Sequence, residues 1–223
     1  MRQSAVTFKT KGLSFEGVVA TPEDADGQTP NGKTPVGKYP GVVICHPHPL
    51  FGGNMDNNVV LAVAFELVEQ GFAVLRFNFR GVGNSEGEHT KGEKEFEEAL
   101  GALDFMRAWQ QVDRDRVGIL GYSFGTGVIL GSPALQKRPK VFAFVSPSID
   151  RLKSTSLQKD KRPKFIITGN RDKLAGAEGL QEVLDSFVQP PEFHVIDGAD
   201  HFWMGLESQV VGPVSQFFLK NLT

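Results

Sequence analysis

At 223 residues, with 40% hydrophobic and 22% charged side chains, the chain has the size and balance of one globular domain spanning 1–223. A formal net charge of -2 gives no basic footprint for nucleic acid or an anionic membrane, and no stretch approaches the roughly 18 apolar residues of a membrane span. One cysteine, Cys45, excludes an internal disulfide and suits a reducing compartment, so a cytoplasmic location is expected.

Met1 to Thr10 carries no apolar run and reads as a strand rather than a signal peptide. Val6 to Lys9 and Phe15 to Thr21 are expected to pair as a hairpin. Pro22 to Pro40, rich in Pro, Gly, Lys and Asp, reads as an exposed loop. Gly41 to Cys45 is a continuous apolar run, the mark of a strand buried on both faces. Asn58 to Gln70 has helical spacing and is stopped by Gly71. The unit then repeats. Strands are expected at Phe72 to Phe77, Val117 to Leu120, Val141 to Val145, Phe165 to Thr168 and Phe193 to Ile196. Helices are expected at Gly92 to Gln110, Phe124 to Gln136, Ala177 to Val188 and Ser208 to Leu219. Glu93, Glu95, Glu97 and Glu98 cluster where a helix dipole favours acids. This alternation implies a mostly parallel sheet of about eight strands, with an antiparallel leading edge and helices on both faces.

Gly121-Tyr122-Ser123-Phe124-Gly125 matches Gly-x-Ser-x-Gly and lies between a predicted strand and a predicted helix. That context is what a nucleophile elbow requires: a sharp turn presenting a serine, with glycines where side chains would collide. The competing reading is a tight glycine turn with an inert serine. A serine hydroxyl needs a base, and His201, after the last strand, sits at the sheet edge where such sites form. His194 falls inside a strand and His89 in a polar loop. The imidazole needs an acid, and Asp172 follows the penultimate strand, giving the chain order Ser, Asp, His. Asp150 is the second candidate, and a surface ion pair with Arg171 or Lys173 is the alternative role for Asp172. Asp197 and Asp200 read as turn residues.

His46-Pro47-His48-Pro49-Leu50-Phe51-Gly52-Gly53 follows the first buried strand directly. Acyl transfer needs backbone N–H groups aimed at the developing oxyanion. Phe124 would give one. Prolines have no N–H, which leaves His48 or Leu50 for the other, with His48 preferred. His46 and His48 with Asp56 nearby suggest a metal pair, but a site needs three or four protein ligands and no third is evident. No metal or cofactor is expected, and His46 is read as a loop brace.

Together these motifs resemble the α/β-hydrolase superfamily. Residues 45–57, with Phe77-Asn78-Phe79-Arg80-Gly81-Val82-Gly83-Asn84-Ser85-Glu86-Gly87, resemble a narrower group of small bacterial-type hydrolases. That group is related to dienelactone hydrolases and serine aminopeptidase-like esterases, and the match begins near Phe15. The resemblance implies the α/β-hydrolase fold and a cofactor-free carboxylesterase activity. A serine in place of a cysteine nucleophile argues against a dienelactone substrate. Arg80 reads as a structural clamp.

The gap from Ser146 to Pro163 is short, polar and basic, so no large cap domain is expected. An open site lined by Leu50, Phe51, Phe124, Phe202 and Trp203 would hold a small or medium acyl or aryl ester; Trp203 could equally be a core residue. Hydrolysis through an acyl-enzyme on Ser123 is the leading expectation. Amide or peptide hydrolysis with the same triad, and a non-catalytic binding module, are the alternatives. The expected partner is a small-molecule ester, with neither nucleic acid nor membrane, and assembly as a monomer or homodimer.

Overall fold

A computed structural model of the chain describes residues 1–22, 38–177 and 179–223. The expected loop Pro22 to Pro40 lies, apart from its ends, outside the described residues. So does Glu178, within the helix expected from Ala177.

Eight strands form one sheet: β1 (Arg2–Thr10), β2 (Leu13–Thr21), β3 (Tyr39–Cys45), β4 (Ala73–Phe77), β5 (Val112–Tyr122), β6 (Phe142–Val145), β7 (Lys164–Gly169) and β8 (Glu192–Ile196). Their order is β1-β2-β4-β3-β5-β6-β7-β8. β1 pairs antiparallel with β2, and β2 with β4; every later pairing is parallel. The first hairpin closes through Lys11 and Gly12, both at positive φ (53° and 82°), the geometry that matches strand twist in a two-residue turn.

Helices α1 (Asn58–Glu69) and α7 (Glu207–Leu222) cover one face of the sheet. The other face carries α2 (Phe96–Ala108), α3 (Phe124–Leu130), α4 (Pro133–Gln136), α5 (Ile149–Ser154) and α6 (Leu180–Asp185). Strands β3 and β4 are buried throughout, as their unbroken apolar runs require. Among the described residues, no helix is long and apolar enough to cross a membrane.

Several boundaries differ from expectation. The single helix expected from Phe124 to Gln136 is two, because Gly131 ends α3 and Ser132 caps α4 through a 3.3 Å bond from Leu135 N, with Pro133 at its first turn. β5 begins at Val112, five residues early; the charged run Asp113 to Arg116 looks like a loop, yet Val112 pairs with Tyr39 on β3. The connection after β6 contains α5 and a short 3-10 turn at Ser156–Lys159, with no cap domain.

The acidic cluster before α2 also serves differently. The helix starts at Phe96, not Gly92, and Glu95 and Glu98 are fully buried rather than solvated at a dipole. Glu98 accepts from Arg80 N at 3.0 Å, Nε at 2.9 Å and Nη2 at 2.7 Å, while the same Nη2 donates to Glu97 and to Lys94 O, each at 3.0 Å. The Glu98 carboxylate holds the Arg80 pKa above its ordinary value despite partial burial. Arg80 therefore ties the turn after β4 to the start of α2. Removing one partner would strand the other as an uncompensated buried charge. Glu98→Ala is expected to destabilise the fold by about 3–5 kcal/mol, read as a lower urea midpoint.

Candidate active site

β5 runs into α3 through Ser123, whose φ of 51° and ψ of -110° lie outside the regions open to ordinary residues. The flanking glycines make this turn possible. A Cβ on Gly121 would lie 2.6 Å from Thr126 N, and one on Gly125 would lie 2.3 Å from Cys45 O. Ser123 N donates to Val145 O at 2.9 Å, and Thr126 N to Ser123 O at 2.9 Å, so the strained residue is held on both sides.

The loops after β7 and β8 bring the other two candidates to the same sheet edge. His201 Nε2 lies 2.7 Å from Ser123 Oγ. Its Nδ1 lies 2.8 Å and 3.0 Å from the two Asp172 oxygens. With Nδ1–H donating to Asp172, Nε2 is free to accept the serine proton. Asp172 is fully buried at its side chain, and its Oδ1 also accepts from Leu174 N at 2.9 Å and Ala175 N at 2.7 Å. Burial alone would raise the Asp172 pKa; the bonds from His201 and Ala175, with the nearby Ser146 hydroxyl, outweigh it and hold the carboxyl below its usual range. Tyr122 Oη donates to His201 O at 2.6 Å, fastening the His201 loop to the end of β5. Asp200 accepts from Phe202 N and Trp203 N as a turn residue, and Asp150 sits exposed in the first turn of α5.

Ser123 and His201 face a cavity of about 630 Å³ that also reaches His48, Phe51, Phe124 and Phe202. Phe51 and Phe202 are 85% and 58% exposed and stand at its rim. Two residues expected here are elsewhere. Trp203 is fully buried in the core against α1 and α7, and its Nε1 donates to Ser146 Oγ at 3.1 Å. Ser146 in turn bonds Asp172, so Trp203, at a positive φ of 58°, supports that carboxylate from behind. Leu50 is solvent-exposed outside the cavity, and its N–H is taken by His48 Nδ1 at 3.2 Å in a tight 3-10 turn. That bond removes Leu50 from the candidate oxyanion donors. The N–H groups of His48 and Phe124 donate to no protein acceptor among the described residues.

The His46 ring is buried, accepting from Phe79 N at 3.1 Å and donating to Pro47 O at 2.7 Å, so it braces the loop after β3 against the loop after β4. Asp56 is engaged by Arg76 instead of facing His46 and His48. His89, which the sequence placed in a solvated loop, packs edge-on to His48 and tilted against Phe124, with ring centroids 5.1 and 5.3 Å away. Its Nδ1 lies 3.0 Å from the buried Glu95 carboxylate. Nothing in its polar sequence neighbours signals this, because the burial of its partner Glu95 is settled only by the packing.

A family model described as an alpha/beta hydrolase domain matches residues 43–211. An uncharacterized protein of Rickettsia prowazekii is 32% identical over 174 residues, covering 74% of this chain and 72% of that one. The structure of an alpha-beta serine hydrolase homologue from Coxiella burnetii superposes with a TM-score of 0.79 at 28% identity, covering 100% of this chain and 99% of that one. The crystal structure of a serine hydrolase without lid from Xanthomonas campestris gives 0.83 at 26% identity, covering 100% and 96%.

Burial lowers the His46 pKa from 6.5 to about 4, against the Pro47 bond that raises it. The unfolded chain therefore binds a proton between those values that the folded chain does not. The contribution of this ring is full above about pH 6.5 and is lost as pH falls toward 4, about 3 kcal/mol in all. In His46→Gln, urea unfolding measured across this window should lose that share of the pH slope.

Proposed function

The chain belongs to the α/β-hydrolase family and is a hydrolase, and from that premise we propose that it cleaves carboxylic esters of small to medium acyl or aryl groups through an acyl-enzyme on Ser123. The observation that carries this reading is the continuous hydrogen-bonded line from Ser123 Oγ through His201 to the buried Asp172. Ser123 Oγ attacks the ester carbonyl while His201 Nε2 takes its proton. Asp172, already ionised, holds the imidazole in the required tautomer and stabilises its charged form. The negative charge that develops on the carbonyl oxygen is met by the N–H groups of Phe124 and His48, with α3 directing its positive end at the site. The tetrahedral intermediate collapses, His201 returns the proton to the leaving alcohol, and water then releases the acyl group by the same steps reversed.

The exposed aromatic rim of Phe51 and Phe202 favours a soluble substrate with an apolar portion. The one cysteine, Cys45, is a free thiol, which suits a cytoplasmic location.

Ser123→Ala is expected to lower kcat for p-nitrophenyl acetate by about 10⁴- to 10⁶-fold and to abolish labelling by a fluorophosphonate. Turnover that survives the substitution removes Ser123 from the mechanism. Faster cleavage of aminoacyl-nitroanilides than of esters would make the enzyme an amidase. Asp172→Asn should reduce kcat by about 10³- to 10⁴-fold, because the wrong imidazole tautomer is then favoured.

A further inference from the structure

The cavity at Ser123 carries two cationic side chains, Lys91 and Arg151, and no carboxylate among its lining residues. Among the described residues, neither side chain has a hydrogen-bonding or ion-pairing partner in the protein. Asp172 lies behind His201, and Glu95 lies beneath the loop that carries Lys91. The chain as a whole has a net charge of -2, so this cationic lining is local and not a general surface property.

Both cations are held by structure built around them. Lys91 has a φ of 57°, a conformation costly for any residue but glycine, asparagine or aspartate. The buried Glu95 carboxylate accepts from Thr90 N at 2.6 Å and Gly92 N at 2.9 Å, one residue on each side of Lys91, and so pins the strained turn. Arg151, on α5, lies along a face of α3 that has no side chains. Its Nε is 3.9 Å from where a Cβ on Gly127 would stand, and Nη1 is 3.2 Å from the same point on Gly131. The C-terminal carbonyls of α3 favour a cation there without neutralising it. Gly127 and Gly131 stand one and two turns from Ser123, about 6 and 12 Å along the helix axis, so the charged end of Arg151 lies remote from the serine.

Resting on the ester-hydrolase reading above, we propose that the substrate is an ester bearing a carboxylate remote from the scissile bond, which Lys91 and Arg151 bind from two walls of the cavity. The apolar portion of such a substrate lies between Phe51 and Phe202, and the two cations select against neutral esters of the same shape. The carboxylate can belong to the acyl half or to the alcohol half, and paired substrates separate the two.

Rates are compared for p-nitrophenyl adipate against its methyl ester, which tests the acyl half, and for 4-acetoxybenzoate against methyl 4-acetoxybenzoate, which tests the alcohol half. In one pair, kcat/KM for the charged member should exceed that of the neutral one by about tenfold or more, as two partly exposed ion pairs would give. That ratio should shrink in Lys91→Gln and Arg151→Gln, persist in Lys91→Arg, and fall at high ionic strength. The proposal is overturned if neither pair shows a preference for the charged ester, or if the ratio survives both glutamine substitutions. If the neutral esters turn over and the charged ones gain nothing, the hydrolase reading stands and this one fails. If none of the four is cleaved, the ester-hydrolase reading fails and this one with it.

Discussion

Backbone presses directly on backbone where β5 turns into α3, and the rest of the site is arranged around that contact. The carbonyl of Cys45 at the end of β3 comes so near Gly125 that no side chain fits between them. Cys45 and Gly121 are also register partners across the parallel pairing of β3 and β5. The closeness serves two ends. It holds Ser123 in a conformation that costs on the order of 1–3 kcal/mol, which projects its hydroxyl from the turn. It also starts the loop beginning at His46 beside Ser123, so the free N–H groups of His48 and Phe124 line the same cavity.

The same device recurs at the other side of the site. A Cβ on Gly169, the last residue of β7, would lie 2.1 Å from Ala199 O. Arg171 N donates to that carbonyl at 2.9 Å, and Asn170 N to Ile196 O at 3.0 Å. The loops bearing Asp172 and His201 are thus laced together before their side chains meet. Behind them, Trp203, Ser146 and Tyr122 anchor Asp172 and His201 from within the core. The parallel sheet supplies the common edge, and close backbone contacts set the angles at which the three side chains approach.

Buried carboxylates do the corresponding work for the wall opposite. Glu98 draws Arg80, and with it the turn after β4, onto α2. Glu95 gathers the N–H groups of Thr90, Gly92 and Lys94 and sets His89 against His48 and Phe124. Each charge is offset by several donors, which is the condition for burying it. These contacts carry the Lys91 turn to the cavity, so the wall's position follows from electrostatic satisfaction more than from apolar packing.

The alternation of buried apolar runs with helical periodicities determined the layered sheet, and Gly-x-Ser-x-Gly between a strand and a helix determined where the serine would stand, because both are local patterns of side-chain volume and polarity. The candidate base and acid were legible for the same reason, each following a strand at the carboxyl edge. Only the tertiary structure decided the remainder. Leu50 and Phe51 are neighbours of similar character and both N–H groups bond His48, one to its ring and one to its carbonyl, yet the first side chain lies outside the cavity while the second stands at its rim. Phe202 and Trp203 part in the same way, at a backbone reversal that composition does not encode. Glu95 and Glu98 read as solvated helix-start acids because their donors lie on residues whose approach is settled by the packing of separate segments. Periodicity reports which face of an element is buried; which partner a buried polar group finds depends on contacts between segments far apart in the chain.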